Sequence, residues 1–200
     1  MEMERIAESG KTRHPLSSAG GRCGGVGRIL LDESIIHTRL DGLAGQICSD
    51  YAGLDLTVVT ILKGGLMFAA DLLRRLDMPV HLDFLSVSSY QGTSSTGDVL
   101  FHHTRLPHVN GRHVLLLDDI LDSGCSLHAI LHTLRQKTHP LSIKTCVLLR
   151  KDVPRRHQIT ADYVGFDIPN EFVVGYGLDY KEHFRNLPYI GVYKEPVRRP

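Results

Sequence analysis

The residues best suited to do chemistry cluster after one apolar run. Val114-Leu115-Leu116-Leu117 leads into Asp118-Asp119, then Ile120-Leu121, then Asp122-Ser123-Gly124-Cys125-Ser126. Two carboxylates at the tip of a buried strand can accept hydrogen bonds from vicinal sugar hydroxyls. Backbone N–H groups at a helix start, with Gly allowing close approach and hydroxyls adding donors, make a cradle for phosphate. One site would then grip both a sugar and a phosphate, which suits a ribose 5-phosphate better than a triphosphate. No G-x-x-x-x-G-K-[ST] and no G-x-G-x-x-G occurs in the chain, so no P-loop or dinucleotide fingerprint is supported. A capped strand-to-helix turn is the plain alternative for a lone Asp-x-Ser-Gly. Three acids plus the Ser-Gly-x-Ser run, all after an apolar strand, weigh against it.

The elements that must position these groups follow from periodicity. Asp32 can cap a helix whose apolar face is Ile36, Leu40, Leu43 and Ile47. Leu56–Leu62 is a β-branched run suited to a buried strand, broken by Lys63-Gly64-Gly65. A helix is expected over Leu66–Leu76, with Leu66, Ala69, Ala70, Leu73 and Leu76 on one side. Val80–Val87 reads as a strand, and Ser88–Gly97 as a long polar loop of the kind that carries function. Val114–Leu117 is a strand, the following helix carries Leu127, Ile130, Leu131 and Leu134, and Ile143–Leu149 is strand-like again. Strand and helix alternate, and the strands are continuously apolar. An α/β fold with a mostly parallel sheet flanked by helices is expected. Ligands in such folds bind at the carboxyl ends of strands.

Composition narrows the classes. The 200 residues suit one domain, and 42% hydrophobic with 22% charged residues is ordinary globular usage. Lys plus Arg number 23 and Asp plus Glu 22, so the net charge of +1 gives no global pull toward nucleic acid or an anionic membrane. No apolar run approaches the roughly 20 residues of a membrane span, and no signal-peptide core opens the chain. Cys23, Cys48, Cys125 and Cys146 lie far apart with no C-x-x-C pair, which is expected of reduced thiols in a cytoplasmic protein. Residues 1–25 are rich in Gly, Ser and charge and are expected to be a disordered tail.

The Val114–Ser126 run resembles the phosphoribosyl pyrophosphate (PRPP) signature of the type I phosphoribosyltransferases. Three further stretches resemble one branch, the hypoxanthine-guanine phosphoribosyltransferases. Ile61–Leu72, with Lys63-Gly64-Gly65, resembles its pyrophosphate loop, in which the Lys-Gly peptide is often cis. Ser88–Asp98 resembles its mobile catalytic loop, whose Ser89-Tyr90 pair closes over the reacting centre. Phe166–Tyr180, followed by Phe184–Ile190, resembles its purine-binding segment nearly residue for residue. The resemblance covers roughly Asp32 to Val192. It departs where the family often has Glu-Asp and this chain has Asp118-Asp119, and where Cys125 takes a varied loop position.

The resemblance implies one domain over residues 26–200, with a small hood built from N- and C-terminal segments. It implies purine salvage: Mg²⁺-dependent transfer of 5-phosphoribosyl from PRPP to hypoxanthine or guanine, giving IMP or GMP and pyrophosphate. Asp122, with Ser89 and Tyr90, would be catalytic, Asp122 as acid or base at the purine N7. Lys63, Gly64, Asp118, Asp119, Asp122, Ser123, Gly124, Cys125, Ser126 and Arg185 would bind PRPP. Lys151, Phe172, Val173 and Asp179 would bind the purine, and Asp118, Asp119 and Asp179 the metal. A homodimer or homotetramer is implied, with no nucleic-acid or membrane partner. Two other readings stay open: a xanthine-preferring transferase of similar architecture, and a PRPP-sensing regulator on the same fold.

Overall fold

A computed structural model describes residues 25–89, 99–101, 106–154, 157 and 159–195. Strand β1 (Gly25–Leu31) leads into helix α1 (Glu33–Asp50). Asp32 caps α1 as expected: its Oδ1 accepts from the Ile35 amide at 2.9 Å. Then follow β2 (Leu56–Leu62), α2 (Leu66–Leu73), β3 (His81–Ser89), β4 (Val99–Phe101), β5 (His113–Leu121) and α3 (Cys125–Lys137). The chain ends with β6 (Ser142–Lys151), β7 (Tyr163–Ile168), β8 (Val173–Val174) and β9 (Ile190–Lys194).

The main sheet has the order β4-β3-β2-β5-β6-β7. Its five neighbours from β3 to β7 pair in parallel, and β4 adds an antiparallel edge to β3. A second, three-stranded sheet joins β1 to β9 and β9 to β8, all antiparallel. The two ends of the described chain thus meet in one small sheet.

Side chains alternate across a strand, and β5 uses this to serve two cores. Leu115 and Leu117 pack with Ile36, Leu40, Leu43 and Ile47 of α1 and with Phe68 and Leu72 of α2. Val114 and Leu116 pack with Leu127, Ile130, Leu131 and Leu134 of α3. The sheet is covered on both faces, which explains why its strands read as unbroken apolar runs. Its β7 edge is closed by Arg39 of α1, which donates to the carbonyls of Gly165 and Val164 at 2.8 and 2.6 Å.

Several boundaries differ from the sequence reading. β5 does not stop at Leu117: Ile120 and Leu121 pair with Leu149 and Arg150 of β6, so both acids lie inside the strand. α2 is shorter than Leu66–Leu76 and buries Phe68, Ala69 and Leu72. Leu66 is instead exposed, because the packing against β2 and β5 is made from the Phe68–Leu72 side. Ser88 and Ser89 belong to β3, where they pair with Leu100 and Val99. The rest of the expected loop, residues 90–98 with Tyr90, lies outside the described residues, as does the expected tail up to residue 24.

Leu115 is fully buried and touches both α1 and α2 through its cluster. Leu115→Ala is expected to cost about 2–5 kcal/mol of stability, read as a lower urea midpoint with an unchanged denaturant slope.

Candidate active site

A cavity of about 370 Å³ opens at the carboxyl ends of β2 and β5. Asp118, Asp119, Asp122, Ser123, Gly124, Ser126, Gly64 and Asp179 all line it. Residues that the sequence separates by more than a hundred positions therefore share one wall. The remaining lining is apolar (Ile61, Leu62, Val87, Ile120, Leu121 and Leu127) and was not read from the sequence.

The acids are tightly held. The Asp118 Oδ1 accepts from the Asp119 amide at 3.0 Å. Burial, then the neighbouring Asp119 charge, pushes the Asp118 carboxyl well above the usual aspartate range. Burial also pushes Asp119 up, against the opposing pull of its hydrogen bond with Asp118 and, more weakly, of Arg185. The Asp119 side chain fills the space over Gly64, where any Cβ would sit 1.7 Å from its Oδ2. Only glycine allows that approach. Gly177 repeats the constraint one layer out: its φ is +101°, and a Cβ there would meet the Gly64 carbonyl at 2.1 Å. The peptide before Lys63, Leu62–Lys63, is cis. The resemblance placed the cis bond one position later, at Lys63–Gly64.

Asp122 follows β5 and is half-exposed, and the Lys151 ammonium at the end of β6 donates to its Oδ2 at 2.7 Å. Lys151 is itself buried. This pair joins two sites that the sequence reading had assigned separate tasks. Ser123 and Gly124 then turn into α3, with Gly124 at its N-cap, so the amide end of a 13-residue helix faces the cavity region. Cys125 opens α3 but does not line the cavity, because its neighbours Gly124 and Ser126 take that wall. Its backbone amide lies at the N-terminal end of α3, beside the residues that do line the cavity.

Arg185 anchors the loop from the other side. Its guanidinium donates to the Gly177 carbonyl at 2.7 Å and pairs with Asp179 at 2.7 Å and Glu182 at 3.3 Å. Glu182 also takes the Lys63 ammonium at 2.8 Å, and that contact holds its carboxyl below the usual range. Glu182 was missed, since nothing in its spacing marks it as a partner of Lys63. The loop is tied back to α2 by the Tyr176 hydroxyl, which donates to Asp71. Phe172 does not line the cavity; the residue is 53% exposed and its ring meets Tyr180 and Tyr193 edge-on at 5.9 and 5.8 Å. The Val173 side chain is buried in the core, which leaves only its backbone to offer.

Among the described residues, no three His, Cys, Asp or Glu side chains gather to hold a metal by themselves. Asp118, Asp119 and Asp179 share the cavity without forming a closed ligand set. Mg²⁺ ordinarily takes one or two protein carboxylates and completes its shell with waters and substrate phosphates. Two crowded carboxylates fit that demand.

An acid raised above its unfolded pKa costs stability when the pH lies above both values, and the cost vanishes below the unfolded one. Asp118→Asn is therefore expected to raise the Tm of the ligand-free protein at neutral pH. The gain should shrink as the pH falls toward the ordinary aspartate value of 3.8. Calorimetric scans across pH would read it; an equal or lower Tm at neutral pH would contradict the burial argument.

The arrangement has known counterparts. A family model for the phosphoribosyl transferase domain matches residues 28–181. The hypoxanthine-guanine phosphoribosyltransferase of Streptococcus pneumoniae is 43% identical over 171 residues, covering 85% of this chain and 94% of that protein. The enzyme of the same name from Mycobacterium avium is 42% identical over 175 residues, covering 84% and 86%. Among solved structures, a hypoxanthine phosphoribosyltransferase from Staphylococcus aureus superposes with a TM-score of 0.81 at 43% identity, covering 88% of this chain and 95% of that one. The fold, the cavity at the strand ends and this likeness over most of the chain agree, and the chain belongs to the phosphoribosyl transferase family, in its hypoxanthine-guanine phosphoribosyltransferase branch.

Proposed function

We propose that the protein transfers a 5-phosphoribosyl group from PRPP to N9 of hypoxanthine or guanine, with Mg²⁺, yielding IMP or GMP and pyrophosphate. The observation that carries this reading is the 2.7 Å pair between Lys151 and Asp122. A 6-oxopurine presents O6 and N7 side by side on one edge. An ammonium only donates, and an ionised carboxylate only accepts. Set together, they match an O6 acceptor beside an N7–H. Adenine presents an amino donor at the same place and would face the lysine donor-to-donor.

In this reading Asp118 and Asp119 hold the ribose hydroxyls, and the amide end of α3 with Ser123, Gly124 and Ser126 holds the 5′-phosphate. Lys63, the Gly64 amide and Arg185 receive the departing pyrophosphate. Mg²⁺ held at the acids would neutralise charge that develops on that leaving group. Asp122 takes or returns the N7 proton as the bond at N9 forms. Phe172 offers a ring face to the base, and the Val173 backbone and Asp179 its far edge. The preference among hypoxanthine, guanine and xanthine is set at that far edge.

The same proposal includes a homodimer or homotetramer, supported by the exposed Leu82 and Phe84 on one face of β3 and Leu66 and Met67 at the start of α2. A cytoplasmic location is supported by the free thiols of Cys48, Cys125 and Cys146. No helix among the described residues is long and apolar enough to cross a membrane.

Initial rates of pyrophosphate release with PRPP and five nucleobases test the reading. Rates with hypoxanthine and guanine should far exceed those with adenine, and xanthine in competition with both separates the xanthine-preferring alternative. Asp122→Asn is expected to lower kcat by roughly 10²–10⁴; full turnover would remove its proton-transfer role. Lys151→Gln should relax discrimination against adenine, and an unchanged base preference would take Lys151 out of the base edge.

A further inference from the structure

Glu182 has no task in the reaction as described, yet its carboxylate occupies both cations assigned to pyrophosphate. One oxygen accepts from the Lys63 ammonium at 2.8 Å, the other from the Arg185 guanidinium at 3.3 Å. Lys63 and Glu182 lie 119 residues apart, so the contact is made by the fold and not by local spacing. The turn that carries Glu182 is fixed from within. Its amide donates to Asp179 Oδ2 at 2.8 Å, and Asp179 pairs through its other oxygen with Arg185. Lys181, Glu182 and Phe184 all sit at positive φ, between 51° and 77°, a backbone shape uncommon for residues with a side chain. A tightly folded turn thus delivers one anion to two cations. The Glu182 side chain is 63% exposed and the Lys63 side chain 67%, so the fold gains little from the bridge and can release it.

We propose that Glu182 is a resident stand-in for pyrophosphate. In the ligand-free enzyme it pairs with Lys63 and Arg185 in place of the leaving group, and it is displaced when the more highly charged ligand arrives. The inference rests on the phosphoribosyl-transfer reading of the site. It makes Glu182 a competitor that weakens product binding, so that pyrophosphate leaves readily. A mere brace for the turn predicts the opposite sign. Losing a brace would loosen the two cations and weaken pyrophosphate binding, whereas losing a competitor tightens it.

Inorganic pyrophosphate with Mg²⁺, titrated calorimetrically into wild type, E182Q and E182D, separates these. E182Q should bind pyrophosphate more tightly, by about fivefold, near the upper end of what an exposed ion pair contributes. E182D keeps the charge and should stay close to wild type. In steady state, E182Q should show a lower KM for PRPP with no rise in kcat. Equal or weaker pyrophosphate binding by E182Q, with wild type binding normally, overturns the stand-in role alone. No pyrophosphate binding by wild type overturns the reading of the site and this inference with it.

Discussion

Two carboxylates side by side in the buried central strand are the constraint around which the rest is arranged. Asp118 and Asp119 sit near the end of β5, just beyond the last pair with β2 at Leu117, with Asp118 opposite Val147 of β6. Burial raises both acids, so the ligand-free protein carries a standing electrostatic cost at this point. Everything close by answers to it. Gly64 has no side chain because Asp119 fills that space, Gly177 lacks one because the Gly64 carbonyl fills the next, and Arg185 adds a smaller opposing pull on Asp119. A folded protein retains such a cost where a ligand relieves it, and sugar hydroxyls or a cation would do so here.

Charge is distributed around this centre in opposed pairs. Lys151 meets Asp122, Arg185 meets Asp179, and Lys63 meets Glu182. Asp122 and Asp179 line the cavity itself, and each is met by the cation of its pair. The parallel sheet fixes one member of each of two pairs at a strand end, Lys151 on β6 and Lys63 after β2. Asp122 follows β5, the loop between β8 and β9 supplies Asp179, Glu182 and Arg185, and its Tyr176 link to Asp71 ties that loop to α2.

Much of this was legible before any coordinates. Asp32 announced α1, the runs Leu56–Leu62 and Ile143–Leu149 announced β2 and β6, and the Asp118 to Ser126 run announced the acidic strand end and the turn into α3 that line the cavity. These are local signals, carried by periodicity and by residue types within a few positions of each other. What was illegible is long-range or rests on packing. Lys151 and Asp122 are 29 residues apart, and Lys63 and Glu182 119, so no spacing rule joins them. The apolar side of α2 was partly misjudged: Ala69 is buried and Leu73 and Leu76 pack against the core, but Leu66 is exposed while Phe68 and Leu72 are covered, and only the sheet decides between residues of like hydrophobic character. The end of β5 was set too early because Asp118 and Asp119 read as a strand terminus, while Ile120 and Leu121 continue the pairing with β6. The second sheet draws on chain segments far apart in sequence, and its two-residue β8 leaves almost no periodicity to detect.

The central claim is that the acid pair of β5 is the grip for the activated sugar. A calorimetric titration of PRPP with Mg²⁺ into the wild type and into a variant carrying both Asp118→Asn and Asp119→Asn tests it directly. The account predicts saturable heat for the wild type and none for the folded double variant. Binding of PRPP by that variant as tightly as by the wild type would contradict it.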